Sequence, residues 1–138
     1  MCVFCEIIKG NIPSKKVYED DDTLAILDIS QTTKGHTLVM PKKHVDNFLL
    51  MDNEEYQQLM GKVQKLADKI VSKLDAKGCN VLINTNEVAG QSVMHFHVHV
   101  IPRYLGGEGG FQITMKGQDT SAMDLPRLAM DISKALKK

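Results

Sequence analysis

Apolar side chains recur along this chain with two periods, and the change of period separates helices from strands. Tyr56, Leu59, Val63, Leu66, Ile70 and Leu74 return every three or four positions, which puts them on one face of an α-helix. Asp52 stands ahead of that stripe with Glu55 three residues on, a capping box, and Gly78 is the expected stop. A short helix is expected over 4–10, closed by Gly10, and an amphipathic one over 124–136. Strand patterns fill much of the remainder. "KKVYED" and "TLAILD", joined by the acidic turn Asp20–Asp22, predict a hairpin, and "HTLVMP" a third strand stopped at Pro41. "HVDNFLL" gives one helical turn, and "NVLINT" and "HFHVHVI" supply two further strands. "LGGEGGF", 105–111, lacks the strand-to-helix context of a phosphate cradle and reads as a flexible loop. Strands outnumber long helices and many lie within hairpin distance. The class is therefore α+β, an antiparallel sheet with helices segregated to one face. No internal repeat, low-complexity tract or linker divides 1–138, which reads as a single domain.

The stretch "MHFHVHVIP" carries the most chemistry. On a strand, His95, His97 and His99 share one face while Phe96, Val98 and Val100 press into a core on the other. Buried imidazoles without partners cost free energy, and three adjacent cations repel one another. The shared face points to a wet site, a metal or a phosphate rather than to three surface histidines. Two chemistries fit: HxH can bind zinc that activates water, or the central imidazole can attack phosphorus while its neighbours neutralise developing charge. The preceding "NTNEVAGQSV" offers Glu87 as its one carboxylate, beside Asn84, Gln91 and Ser92. Neutral donors suit a phosphate better than they orient zinc ligands.

Charge and cysteine content narrow the partners. Of 138 residues, seventeen are Lys or Arg and seventeen Asp or Glu, and basic residues cluster no further than "KK", so no footprint for nucleic acid is present. No basic region followed by an apolar run opens the chain, and no apolar stretch approaches the roughly twenty residues of a membrane span. A cytoplasmic protein acting on a small ligand or a protein partner is expected. Three cysteines is an odd count that fits a reducing compartment. Cys2 and Cys5 form a CxxC near the start of the first helix, where both sulfurs can face one ion, undergo redox chemistry or simply be buried. Cys79 has no partner in the sequence and reads as a small packed hydrophobe.

"HFHVHVI" resembles the His-φ-His-φ-His-φ-φ signature of the histidine triad (HIT) superfamily, φ being an apolar residue. "IIKGNIPSKKVYED", "LAILDIS", "GHTLVMPKKHV" and "AGQSV" are similar to family segments in the family's order, so the resemblance covers nearly the whole chain. It implies a HIT-like fold: a five-stranded antiparallel sheet, one long helix, short terminal helices, and a homodimer joining two sheets into one. It also implies hydrolysis or transfer of purine nucleotides through a covalent nucleotidyl-histidine. By this resemblance His97 attacks the α-phosphorus, the main-chain carbonyl of His95 orients it, His99 contacts the transferred phosphoryl group and His36 completes the cluster. Ser92 and Gln91 resemble leaving-group and phosphate contacts, Asn84 lies near the 5′-oxygen, and Asp28 accepts from the ribose hydroxyls. Phe4, Ile7, Ile26 and Ile29 match the apolar slot around the purine. On the residues alone Asp28 also serves as a turn-former, and Phe4, Ile7 and Ile26 as core. Cys2, Cys5, His44 and His95 match a structural zinc set of a bacterial branch, with no organic cofactor implied. "PRY" stands where the phosphoramidase branch has Gly-Gly-Arg, and the chain lacks that branch's tryptophan, which aligns it with the zinc-bearing branch. The first function implied is an AMP-releasing hydrolase of nucleoside phosphoramidates or dinucleoside polyphosphates. A nucleotide-binding regulatory protein with negligible turnover comes second, and a zinc hydrolase with the triad as ligands third.

Overall fold

The computed structural model describes residues 1–106 and 112–137, so the glycine-rich stretch lies outside the described residues from 107 to 111. In chain order the elements are α1 (Val3–Ile8), β1 (Lys16–Glu19), β2 (Thr23–Leu27), β3 (Thr37–Pro41), α2 (Asn53–Lys73), β4 (Gly78–Leu82), β5 (Val98–Arg103) and α3 (Leu125–Leu136). Single 3-10 turns occupy Phe48–Leu50 and Glu87–Ala89. The five strands form one antiparallel sheet in the order β1-β2-β3-β5-β4. This arrangement places β5 between β3 and β4, with His99 opposite Leu38 on one side and Leu82 on the other.

Alternation along the strands builds two cores. Ala25, Val39, Phe96, Val98 and Val100 meet Leu59, Val63 and Ala67 of α2 on one face. Leu24, Ile26, Leu38 and Met40 point the opposite way and are covered by Phe4 of α1, with Ile7, Ile8, Cys2 and Val93 around them. The helices are thus not segregated to one face. "TLAIL" and "TLVM" are apolar on both strand faces, the pattern of strands covered twice rather than once, and α1 supplies the second cover.

Two boundaries also differ from expectation. Asp52 caps α2 as its sequence predicts, accepting from Glu55 N–H at 3.1 Å, but the helix ends at Lys73 rather than running to Gly78. Asp75 takes the left-handed conformation, φ 54°, that a C-terminal glycine usually supplies, and Asp is among the few residues that tolerate it. Gly78 instead opens β4 opposite Arg103. The triad strand likewise starts at Val98 and not at His95, because Phe96 N–H donates to Val45 O at 2.7 Å, away from the ladder. The in-out alternation of 95–100 survives that departure: Phe96, Val98 and Val100 are buried against α2. Cys79 packs against the same core. Among the described residues no helix is long and apolar enough to cross a membrane.

Candidate active site and metal-binding cluster

Because the chain alternates in and out from 95 to 100, His95, His97 and His99 emerge on the α1 side of the sheet, and His36 enters from the turn leading into β3. His97 is buried, and its Nδ1 lies 2.8 Å from the His95 carbonyl. A carbonyl only accepts, so Nδ1 carries the proton and the lone pair of the neutral ring is on Nε2. Burial pulls the His97 pKa down, against the opposing pull of that hydrogen bond and of Asp28. At neutral pH the ring is therefore an unprotonated imidazole with a fixed tautomer.

A second chain of bonds fixes His99. Thr32 N–H donates to His36 Nδ1 at 3.3 Å, which leaves the His36 proton on Nε2, and Nε2 lies 2.9 Å from His99 Nδ1. His99 consequently accepts at Nδ1 and holds its own proton on Nε2. Its pKa falls to about 4, through burial first and then through the neighbouring His97 and His36 rings. Burial also lowers His36, with Asp28 pulling the other way. Asp28 sits at this end of the site: Oδ1 accepts from Ser30 N–H at 2.8 Å and Ser30 Oγ at 2.7 Å, while Oδ2 is 3.7 Å from His36 Nε2. Burial pushes the Asp28 carboxyl up, but the two Ser30 bonds together with the neighbouring His36 and His99 hold the group below its usual value. The turn-forming and site-facing roles of Asp28 are thus carried by different oxygens.

His95 faces elsewhere. Its Nε2 donates to Pro41 O at 2.8 Å, which turns Nδ1 toward Cys2 Sγ at 3.4 Å, Cys5 Sγ at 3.6 Å and His44 Nδ1 at 3.2 Å. His44 donates from Nε2 to Asp46 at 2.8 Å and directs its Nδ1 to within 3.4 Å of Cys5 Sγ. A tetrahedral ion with bonds of ~2.3 Å to sulfur and ~2.0 Å to nitrogen would hold S and N ligands about 3.6 Å apart and two nitrogens about 3.3 Å apart. The three sulfur–nitrogen contacts and the nitrogen–nitrogen contact given above already stand close to those separations. Both ring lone pairs and both sulfurs face one centre, which calls for positive charge between them, and each imidazole is oriented from behind as a metal-bound histidine usually is. Cys2, Cys5, His44 and His95 can therefore hold a metal ion. Burial raises the Cys2 thiol, yet hydrogen bonds from Cys5 and His44 outweigh it and set the group below normal; burial and the neighbouring Cys2 raise Cys5.

Asp28, His36 and His99 also bring ligand atoms together, but the proton on His36 Nε2 occupies the space an ion would need.

Other expected site residues fall into three groups. Phe4 and Ile26 are buried and Ile7 half-buried in one cluster beside the histidines, and the Phe4 ring stands edge-on to His97 with centroids 5.0 Å apart. Ser92 is exposed and Asn84 half-buried, with the Asn84 side chain against Gly90. Two residues differ from expectation. Ile29 is fully exposed, at 101%, since the Asp28–Ser30 turn carries it outward. The Gln91 side chain is buried behind the loop, accepting from Asn86 N–H at 2.8 Å and donating to Asp46 O at 2.6 Å and Val93 O at 3.0 Å. Sequence reasoning missed Asp46, Gln31 and the Thr32 amide. Asp46 is signalled only by lying two residues after a histidine; Gln31 donates to the Asp28 and His36 carbonyls at 2.6 and 2.8 Å, which no spacing rule announces.

A family model for the HIT domain matches residues 9–106. Adenosine 5′-monophosphoramidase of Schizosaccharomyces pombe is 34% identical over 136 residues, 99% of this chain and 98% of that protein. A crystal structure of a HIT family member from Bacillus subtilis superposes with a TM-score of 0.90 at 47% identity, covering 99% of this chain and 98% of the other. A zinc-bound histidine triad family protein from Mycobacterium smegmatis superposes with a TM-score of 0.75 at 34% identity, covering 97% and 96%.

Proposed function

The chain belongs to the HIT domain family, and from that premise we propose that it is a purine nucleotide hydrolase acting at the α-phosphorus of AMP-linked substrates, nucleoside phosphoramidates or dinucleoside polyphosphates. The observation that carries this reading is the 2.8 Å bond from His97 Nδ1 to the His95 carbonyl, which leaves a neutral imidazole with its nucleophilic lone pair on Nε2. Nε2 forms the bond to phosphorus while the bond to the amine or phosphate leaving group breaks, and the departing group takes up a proton from solvent beside the exposed Ser92. Water then attacks the nucleotidyl-His97 phosphorus, AMP leaves, and the ring returns to its neutral form. His99, protonated on Nε2, donates to the phosphoryl oxygens, and His36 holds that tautomer from behind. Asp28 Oδ2 accepts from the ribose hydroxyls, Asn84 lies near the 5′-oxygen, and Gln91 acts through the loop it braces. Phe4, Ile7 and Ile26 line the purine slot, with Ile29 at its rim.

Cys2, Cys5, His44 and His95 would hold zinc as a structural cross-link, since four protein ligands would leave no position open for water. This set aligns the chain with a zinc-bearing bacterial branch, a reading that the zinc-bound Mycobacterium smegmatis neighbour supports. The orientation of His95 into that cluster disfavours a zinc hydrolase that uses the whole triad as ligands. Residues 1–138 work as one cytoplasmic domain in a homodimer, without an organic cofactor and without nucleic acid or membrane as partner.

Steady-state turnover of adenosine 5′-phosphoramidate and of a diadenosine polyphosphate, by wild type and His97→Ala, tests the reading. Wild-type release of AMP from either, with none by the variant, supports it and identifies the leaving-group class. Tight AMP binding with no turnover of either substrate sinks it in favour of a regulatory binding protein.

A further inference from the structure

The four metal-ligand positions come from three segments, and each segment also reaches the nucleophile or the loop in front of it. Cys2 and Cys5 bracket Phe4 on α1, whose ring meets His97 edge-on at 5.0 Å and 83° and His95 at 5.9 Å. His95 gives its ring to the cluster and its carbonyl to His97 Nδ1. His44 is braced by the carboxylate of Asp46, the residue whose carbonyl accepts from the buried Gln91 amide. That amide in turn holds Asn86 and Val93, at the two ends of the turn that carries Ser92. Asn86 adopts φ 69° and ψ 160°, a backbone region that side-chain-bearing residues avoid unless their surroundings impose it. A helix as short as the six-residue α1 does not persist without tertiary anchors.

Resting on the nucleotidyl-histidine reading, we propose that the Cys2–Cys5–His44–His95 cluster, once metal-loaded, is a clamp on the nucleophile. Closing the four ligands seats Phe4 against one side of the His97 ring and fixes the carbonyl that holds its proton, so the ion organises His97 as well as the fold. Phe4 and His95 are then positioning residues for His97, and Gln91 extends the same clamp to the Ser92 loop. The consequence is a catalytic centre whose readiness depends on metal occupancy although the ion touches no reacting atom.

The test uses the full chain, stripped of metal and titrated with Zn²⁺ at fixed pH, with long-range ¹H–¹⁵N correlation of the imidazoles as readout. One equivalent should leave His97 in its Nδ1–H form and slow exchange of that proton at least tenfold, roughly the effect of one secured hydrogen bond. Phe4→Leu, which keeps all four ligands, should still bind one zinc yet exchange the His97 proton faster than wild type and form the nucleotidyl intermediate more slowly in a single turnover. A folded metal-free protein whose His97 signals match the loaded form overturns the proposal. If the metal-free chain does not fold, Phe4→Leu settles the matter: one zinc bound with wild-type His97 exchange overturns it. Absence of wild-type turnover would remove the hydrolase reading while leaving the His97 exchange readout intact, so the two fail separately.

Discussion

His95 and His99 stand two residues to either side of the same imidazole, on the same face, but their surroundings follow opposite hydrogen-bond logic. At His95 both rings of the cluster donate outward, to Pro41 O and to Asp46, so their lone pairs converge with two sulfurs on one centre. Near His99 donors and acceptors run head to tail, from the Thr32 amide through His36 to His99, and no positive charge is needed. The difference teaches that residue type and spacing do not decide whether a histidine is a ligand or a proton carrier. What its second nitrogen bonds decides it.

The largest effect that follows is a contrast in metal dependence. The chain should bind one zinc equivalent, and at a free concentration a thousand times Kd that ion adds about 4 kcal/mol to stability by mass action. Cys5→Ser should abolish the gain, whereas substitutions at Asp28 should leave it unchanged. Calorimetric titration with thermal melts checks this, and a second tight equivalent lost in Asp28→Asn would break the comparison.

Acid should separate the two ends next. His99 is held at about 4 against an ordinary histidine value of about 6.5, so the unfolded chain takes up its proton first as pH falls. Above pH 6.5 both states are neutral at this position. Between 6.5 and 4 the unfolded state is favoured progressively, at a full cost on the order of 3 kcal/mol. Urea midpoints at pH 7, 5.5 and 4.5 should fall more steeply for wild type than for His99→Gln. Parallel slopes would place the titration elsewhere.

A smaller effect tests the orientation of His44. Asp46→Ala removes the carboxylate that fixes the ring, and loss of such an outer partner weakens metal affinity by about 10–100-fold. The fold should persist, because the bond from the Gln91 amide goes to the main-chain carbonyl of residue 46. Competition with a coloured chelator measures the affinity; an unchanged Kd would mean that cysteine and His95 geometry alone holds the ion.

Much of this contrast is legible in the sequence. The period-two run from 95 to 100 announced which side chains are core and which are chemistry, and the capping box of α2 gave its start. The pairing of CxxC with His44 and His95 came from a resemblance rather than a spacing rule, since ligands 39 to 93 residues apart meet only through the order of the sheet. Several illegible features share one cause: they depend on backbone groups, which are the same for every residue. The Pro41 carbonyl that turns His95, the Thr32 amide that sets the His36 tautomer and the Val45 carbonyl that pulls Phe96 off the ladder leave no trace in side-chain pattern. The end of α2 failed differently, because Asp75 does what glycine was expected to do.

The finest test asks whether Asp28 is held by its turn or by the histidines. Ser30 gives Oδ1 two bonds, one from its amide and one from its hydroxyl, and Ser30→Ala removes only the second. A partly exposed hydroxyl–carboxylate bond contributes roughly 1 kcal/mol or less, so stability should barely move. Carbon-detected NMR titration of Asp28 supplies the sensitive readout. Since the Ser30 bonds are the largest of the effects that offset burial, the variant's carboxyl should titrate at higher pH than wild type. If it does not shift, the Ser30 amide and the neighbouring His36 and His99 hold Asp28 without the hydroxyl.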